Sequence, residues 1–146
     1  MSEEKILTLL HVDDSEDDRF LFARSVKKLP ISLSAASSGD EALKRLAETK
    51  QLPDMILLDI RMPRMSGFEV LEKLKSAEPL SLIPVVMFSN SSHPGDVQRA
   101  RQLGAMGYCV KPADAADYQK LSSDIYSGWV RSQPPCLWPD ADAPPG

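Results

Sequence analysis

Four short apolar runs in this chain each end in a polar side chain, and this pattern constrains the fold more than any other feature of the sequence. The runs are Lys5 to Val12 before Asp13 and Asp14, Met55 to Leu58 before Asp59, Val85 to Phe88 before Ser89, and Tyr108 to Val110 before Lys111. Apolar runs that alternate with helix-like segments indicate a parallel sheet with helices on both faces. The carboxyl ends of parallel strands meet at one edge of the sheet, where such folds bind ligands. The sequence therefore predicts three carboxylates, a hydroxyl and an ammonium together at that edge.

This set of side chains suits phosphoryl transfer. Clustered carboxylates repel each other, and they are most easily kept together by a hard divalent cation such as Mg²⁺, which prefers one or two carboxylates plus waters and phosphate oxygens. A carboxylate beside such a cation can act as a nucleophile toward phosphorus and form an aspartyl-phosphate. The lysine and the hydroxyl would then bind the phosphoryl oxygens. An X-Pro bond can be cis at modest cost, so the Lys111-Pro112 bond is a further candidate device for fixing the direction of the lysine.

Helix signals lie between the apolar runs. Ser15 is a predicted cap for the first helix, and Ser66 with Glu69 three residues later forms a predicted capping box. The other predicted segments are a weak strand from Ile31 to Ala36 and helices from about Asp40 to Thr49, from Ser66 to about Ala77, from Pro94 to Gly104 and from Ala113 to about Trp129.

The last part of the chain has a different composition. From Arg131 onward, 5 prolines fall within 16 residues and no apolar period is visible. Such a segment cannot form a helix or an interior strand. We therefore predict one domain over residues 1–130, followed by a flexible, Pro-rich tail over residues 131–146, with no attached output domain.

Charge and hydropathy exclude two classes of partner. A net charge of -4 argues against a nucleic-acid surface, which needs clustered Lys and Arg. No apolar stretch approaches the roughly 20 residues of a membrane span, and no signal peptide opens the chain. We expect a cytoplasmic protein without direct nucleic-acid binding or membrane insertion.

Over about residues 5 to 128 the chain resembles the receiver domain of two-component response regulators. The acidic pair Asp13-Asp14, the segment from Leu57 to Pro63 with Ser66-Gly67 after it, Ser89, and the segment from Tyr108 to Pro112 match the motifs of that family in order and spacing. The resemblance implies a flavodoxin-like α/β fold. That fold is a doubly wound, five-stranded parallel sheet with strand order 2-1-3-4-5 and five helices.

The resemblance also implies the chemistry of the site. Asp59 would accept a phosphoryl group from a phosphohistidine, and Lys111 would pair with a phosphoryl oxygen. The expected cofactor is Mg²⁺, held by Asp14, Asp59 and the backbone carbonyl of Arg61, with Asp13 acting mainly through water. Such a protein is not an enzyme with a separate substrate, because it catalyses only its own phosphorylation and dephosphorylation.

Ser89 and Tyr108 match the switch residues of the family. The new negative charge would attract the Ser89 hydroxyl, Tyr108 would turn inward, and the face formed by the fourth helix, fifth strand and fifth helix would change shape. The expected phosphodonor is a sensor histidine kinase, such as a phytochrome-type kinase, or a phosphotransfer protein. A downstream protein or a second copy of the chain would bind the altered face.

Other readings of the same residues stay open. A receiver fold could be kept as an interaction module that works without phosphorylation. A Mg²⁺-dependent phosphatase with an aspartyl-phosphate intermediate would need a second Asp two residues after Asp59, where this chain has Arg61. The Arg61 side chain could tune how water reaches an acyl phosphate or could be solvated only. Of the departures from the family pattern, His11 and Ser89 among them, only Ser89 is expected to touch function.

Overall fold

Five strands form one parallel sheet in a computed structural model that describes residues 5–133 and 138–139. The strands are β1 Leu7–Val12, β2 Ile31–Ala36, β3 Met55–Asp59, β4 Val85–Ser89 and β5 Gly107–Val110. Their order is β2-β1-β3-β4-β5, and every neighbouring pair runs parallel. The predicted doubly wound sheet and its strand order are confirmed.

Five α-helices alternate with the strands. They are α1 Glu16–Ser25, α2 Gly39–Glu48, α3 Gly67–Lys75, α4 Pro94–Gln102 and α5 Ala115–Val130. Side-chain oxygens of Ser15, Ser38, Ser66 and Asp114 each accept a hydrogen bond from a backbone N–H in the first turn that follows. Ser66 and Glu69 form the predicted capping box. A short 3-10 helix, Leu80–Leu82, had no counterpart in the sequence prediction.

The two faces of the sheet carry separate apolar clusters. Side chains of a strand alternate between faces, so Leu57 packs with Phe22 of α1 and Ile125 of α5, whereas Leu58 packs with Leu71 of α3 on the opposite side. All five residues of β3 are buried. A carboxylate at the end of this central strand therefore lies between two apolar layers.

The register of the strands aligns the predicted site. Val12 lies beside Leu58, so Asp13 and Asp59 follow at the same level. Ser89 is paired with Val110, which places Lys111 one residue beyond the end of β4. The carboxyl ends of four strands thus meet at one edge, as the sequence predicted.

Most of the segment predicted to be flexible, residues 131–146, lies outside the described residues, and its flexibility stays a prediction. Within the described part, Arg131 follows the end of α5, and Trp138 is half-buried against the apolar cluster on the α2, α3 and α4 side of the sheet. The Arg101 guanidinium of α4 lies over the Trp138 ring, 4.6 Å from its centroid. Among the helices of the described residues, we find none with the length and apolar character needed to cross a bilayer.

Candidate functional site

Three carboxylates converge at the carboxyl edge of the sheet. Asp13, Asp14 and Asp59 each offer one oxygen, and these oxygens lie within 4.8 Å of one another. Asp13 and Asp59 are buried, while Asp14 is exposed. The cluster exists because β1 and β3 are neighbours in register, although their ends are far apart in sequence.

Lys111 joins this cluster from β5, and its side chain is only 4% exposed. Its Nζ lies 2.8 Å from Asp13 Oδ2 and 3.5 Å from Asp59 Oδ2. A third carboxylate, Asp18 in the first turn of α1, also lies 2.8 Å from Nζ. No sequence pattern indicated this contact, because acidic residues in the first turn of a helix are already explained by the helix dipole.

The charges of the cluster shift its ionisation. Burial raises the pKa of Asp59 to about 7, and the negative charge of Asp13 adds to the shift. Burial on its own would also raise the pKa of Asp13, but its contacts with His11 and Lys111 help to lower that pKa to about 2. Burial would lower the pKa of Lys111, but its contacts with Asp13 and Asp18 outweigh this effect and hold the pKa above the ordinary lysine value. Asp13 and Lys111 are therefore a stable ion pair, and Asp59 carries the unfavourable charge.

Ser89 ends β4 beside this cluster and is 1% exposed. Its hydroxyl accepts a hydrogen bond from the Ser91 N–H at 3.1 Å. A cavity of about 300 Å³ opens in front of Ser89, Asp59 and Lys111. The predicted acceptor, hydroxyl and ammonium thus line one open space.

Tyr108 lies inward in this structure. Its side chain is buried, and its hydroxyl donates to the Ser91 carbonyl oxygen at 2.5 Å. Burial raises the pKa of Tyr108 above its ordinary value. The turn of Tyr108 on phosphorylation, which the family resemblance implies, stays a prediction.

Arg61 stands at the rim of the cavity with a side chain that is 71% exposed. Its Nη2 atom lies 3.0 Å from Asp96 Oδ2 in α4. The pair connects the loop after β3 to the first turn of α4. The Arg61 side chain is therefore not solvated only. Its ion pair links the rim of the cavity to α4, a helix of the expected output face.

His11 lies closer to the site than the sequence analysis expected. It is fully buried in β1, with its ring centroid 4.9 Å from Phe22 and 5.8 Å from Phe88. Its Nε2 lies 3.4 Å from Asp13 Oδ2. The sequence shows that His11 is a polar residue inside an otherwise apolar strand, which could have suggested a special role. It does not show that the His11 side chain faces Asp13.

The loop after β3 packs tightly on the end of that strand. The Gly67 N–H donates to the Ile60 carbonyl oxygen at 2.8 Å. A Cβ at Gly67 would lie 2.1 Å from the Asp59 carbonyl oxygen and 2.8 Å from the Ile60 Cα, so only glycine fits without moving the backbone.

The Lys111-Pro112 bond is not cis; the cis bond of the described residues is Glu78-Pro79. Ion pairs, not a cis bond, fix the direction of Lys111.

The carboxylate cluster fits a hard divalent cation. Its donors are all oxygens, as Mg²⁺ and similar ions require, and a cation there would relieve the repulsion that raises the pKa of Asp59. The side chains that the sequence predicted as metal ligands, Asp13, Asp14 and Asp59, are the ones that the fold brings together.

Comparisons with known proteins agree with this geometry. The family described as the response regulator receiver domain matches residues 9–122. The two-component response regulator ORR11 of Oryza sativa subsp. indica is 35% identical over 117 residues, which cover 80% of this chain and 79% of the rice protein.

Two solved structures have the same fold. The phosphorylated cyanobacterial phytochrome response regulator RcpA superposes with a TM-score of 0.80 at 26% identity, covering 89% of this chain and 98% of that one. The Mn²⁺-bound form of response regulator Rcp1 gives a TM-score of 0.77 at 28% identity, covering 88% of this chain and 97% of that one.

Proposed function

Because the chain belongs to the family of response regulator receiver domains, we propose that it accepts a phosphoryl group on Asp59 and signals by a conformational change. The observation that carries the proposal is the position of Asp59. It is buried at the end of the central strand, in a cluster of three carboxylates, with the Lys111 ammonium 3.5 Å away. A carboxylate in this position can act as a nucleophile. Charge added to it also acts electrostatically on the neighbouring buried side chains.

The reaction follows from the roles of these side chains. A carboxylate oxygen of Asp59 attacks the phosphorus of a phosphohistidine, the P–N bond breaks, and its electron pair stays on the imidazole nitrogen, which then takes a proton from water. The Lys111 ammonium binds a phosphoryl oxygen. Mg²⁺, held by Asp13, Asp14, Asp59 and the backbone carbonyl of Arg61, would neutralise charge on the transferring group. The protein promotes only this modification of itself and its later hydrolysis.

The added charge acts through Ser89. A phosphoryl group on Asp59 carries a charge of about -1.5 to -2, and the Ser89 hydroxyl faces the same cavity. When that hydroxyl turns to the phosphoryl group, it releases the Ser91 N–H that it now accepts from. Because the Ser91 carbonyl accepts from Tyr108, the movement reaches β5 and the face that it forms with α4 and α5.

The partners are proposed from the chemistry and from the structural neighbours. The donor is a histidine kinase or a phosphotransfer protein in the cytoplasm, and a phytochrome-type kinase is favoured because RcpA is described as a phytochrome response regulator. The readout is binding of a downstream protein, or of a second copy, to the face of α4, β5 and α5. The phosphatase alternative gains no support, because Arg61 stands where its acid/base would be and pairs with Asp96 instead.

Phosphorylation of purified variants tests the function. With Mg²⁺ and a small phosphodonor such as phosphoramidate, the parent protein should gain the mass of one phosphoryl group, and hydroxylamine should remove it. Asp59→Asn should gain none, while Asp40→Asn, which removes an exposed carboxylate from α2, should behave as the parent does. The same mass gain on Asp59→Asn, or none on the parent with any donor, would refute the proposal; the second result would leave an interaction module that works without phosphorylation.

A further inference from the structure

The Lys111 ammonium lies closer to the carboxylates of Asp13 and Asp18 than to the proposed phosphoryl acceptor, Asp59. Its Nζ carries three protons to donate. Two short contacts of 2.8 Å go to Asp13 and Asp18, and the contact to Asp59 is 3.5 Å. The Asp18 contact is a hydrogen bond, whereas the Asp13 contact is an ion pair in which Asp13 Oδ2 accepts no hydrogen bond from the described residues. The two carboxylates together set the direction of the ammonium, and a donor remains for an atom bound at Asp59.

The two close partners differ in what else they do. Asp13 belongs to the carboxylate cluster that fits a divalent cation, and Asp18 does not. A carboxylate that shares its charge with a bound cation holds an ammonium less strongly. When a cation neutralises the carboxylate cluster, Asp18 is thus the close partner that keeps its full negative charge for Lys111.

Asp18 is itself well oriented. Its N–H donates to the Oγ of the helix cap Ser15 at 3.2 Å, and its Oδ1 accepts from the Tyr118 hydroxyl of α5 at 3.3 Å. Only 22% of its side chain is exposed. Further along the same two helices, the hydroxyls of Ser25 and Ser122 are hydrogen-bonded to each other, which adds a buried polar contact between α1 and α5.

We propose that Asp18 is a positioning residue of the phosphoryl-transfer site, which holds the Lys111 ammonium in the direction of the group bound at Asp59. The inference deepens the proposed function and rests on it. A lysine side chain is a point charge on a flexible four-carbon stem, and one anchor leaves that stem free to turn. Two anchors, Asp13 just after β1 and Asp18 in α1, fix it over the cavity.

The competing explanation is that Asp18 is only one of three acidic residues in the first turn of α1, with Glu16 and Asp17. Such residues interact favourably with the helix dipole. Asp17→Asn is the matched control, because it removes the same charge from the same turn at an exposed position. If the dipole explains Asp18, the two Asn variants should behave alike.

The test compares the parent with Asp18→Asn and Asp17→Asn. We expect Asp18→Asn to lower the rate of phosphorylation by phosphoramidate at saturating Mg²⁺ by about tenfold, because misplacement of a catalytic group by a fraction of an ångström has effects of this order. The Mg²⁺ dissociation constant should stay within about twofold of the parent value, since Asp18 does not belong to the carboxylate cluster and its charge is paired with Lys111. Asp17→Asn should change neither quantity.

A second readout needs neither cation nor donor. In the metal-free parent, the buried Lys111 ammonium should give a slowly exchanging proton–nitrogen NMR signal, assigned by its loss in Lys111→Arg. Asp18→Asn should shift or broaden that signal, and Asp17→Asn should leave it unchanged. Asp18→Ala is a second variant with the same expected results, in case Asp18→Asn does not fold.

The outcomes separate the two proposals. A Lys111 signal that is unchanged in a folded Asp18 variant overturns the inference, as does a phosphorylation rate equal to that of Asp17→Asn. A fall in Mg²⁺ affinity that matches the fall in phosphorylation rate also overturns the inference. Asp18 would then act on cation binding through its negative charge and not by orienting Lys111. A parent protein that takes no phosphoryl group refutes the proposed function, and the NMR signal then still decides whether Asp18 orients Lys111.

Discussion

At the scale of single residues, Asp59 carries a charge that the folded protein disfavours. The pKa of about 7 lies well above the value of about 3.9 that an aspartate has in an unfolded chain. An acid whose pKa is raised by folding binds its proton more tightly in the folded state than in the unfolded state. The Asp59 contribution to the free energy of unfolding is therefore most favourable below about pH 4, and it is lost as the pH rises from about 4 through 7. Asp13 has the opposite sign: its pKa of about 2 adds stability that is fully present above about pH 4 and is lost as the pH falls from about 4 towards 2.

We therefore predict that Asp59→Asn stabilises the metal-free protein at pH 8 by roughly 2 kcal/mol, since each unit of pKa shift corresponds to about 1.4 kcal/mol and coupling to Asp13 and Lys111 reduces the full effect. At pH 5 the stabilisation should be clearly smaller, because the loss of stability that begins near pH 4 is only partly complete there. Urea unfolding in the presence of a chelator measures both differences. Equal differences at pH 5 and pH 8 would show that Asp59 titrates as an ordinary carboxylate.

At the scale of elements, the loop between β3 and α3 holds Asp59 in place through the close approach of Gly67 to the strand. We predict that Gly67→Ala lowers the free energy of unfolding by roughly 2–3 kcal/mol, because the new methyl group meets fixed backbone atoms and must displace them. Phosphorylation should slow as well, since the backbone displaced is that of Asp59 and Ile60.

Gly95→Ala is the matched control for Gly67→Ala. Gly95 also lies in the first turn of a helix, but a Cβ there meets only the His93 ring, at 3.1 Å, and a side chain can move away. Its cost should stay below about 1 kcal/mol. If thermal unfolding showed similar losses for both variants, the contact with the end of β3 would not be the cause.

Elements of this fold were predictable where the local signal and the tertiary structure agree. The predicted run from Met55 to Leu58 became a fully buried strand, and the Ser66 capping box formed as expected, because both depend on neighbouring residues. The strand order required the family resemblance. The 3-10 helix Leu80–Leu82 had no signal of its own, since three residues are too few for a period.

The candidate site was predictable for a related reason. Asp13, Asp59 and Lys111 end strands, and the ends of parallel strands must meet, so position in the sequence was enough to bring them together. Asp18 and His11 contact the same cluster from a helix and from the middle of a strand. Which way such a side chain points depends on the packing of α1 on the sheet, and a single sequence does not encode that packing in any local pattern.

At the scale of the whole molecule, the site is connected to α4 and β5 by two polar contacts. Arg61 pairs with Asp96 of α4, and the Tyr108 hydroxyl of β5 donates to the Ser91 carbonyl. A bound phosphoryl group can shift the protein only through contacts that differ between two states. These two contacts, with Ser89, lie between Asp59 and the expected output face.

We predict that beryllofluoride with Mg²⁺, a mimic of the phosphoryl group, shifts backbone amide NMR signals near Ser89, Tyr108 and across α4, β5 and α5. Signals of α2, which packs at the other end of the sheet, should change little. Asp59→Asn should show none of these shifts under the same conditions. Shifts confined to the residues next to Asp59 would mean that the output surface lies elsewhere.

The order in which the chain is synthesised gives the strand arrangement a further consequence. Asp13 follows β1 and Asp59 ends β3, and both strands leave the ribosome early, whereas Lys111 follows the last strand of the sheet and precedes α5. Until β5 pairs with β4, the acidic residues lack the ammonium that offsets their repulsion, and β4 is an unpaired edge. A stalled or prematurely terminated chain therefore lacks the Lys111 ammonium that the proposed transfer to Asp59 uses. Under the proposed function, we expect unfinished copies of the protein to accept no phosphoryl group from a kinase.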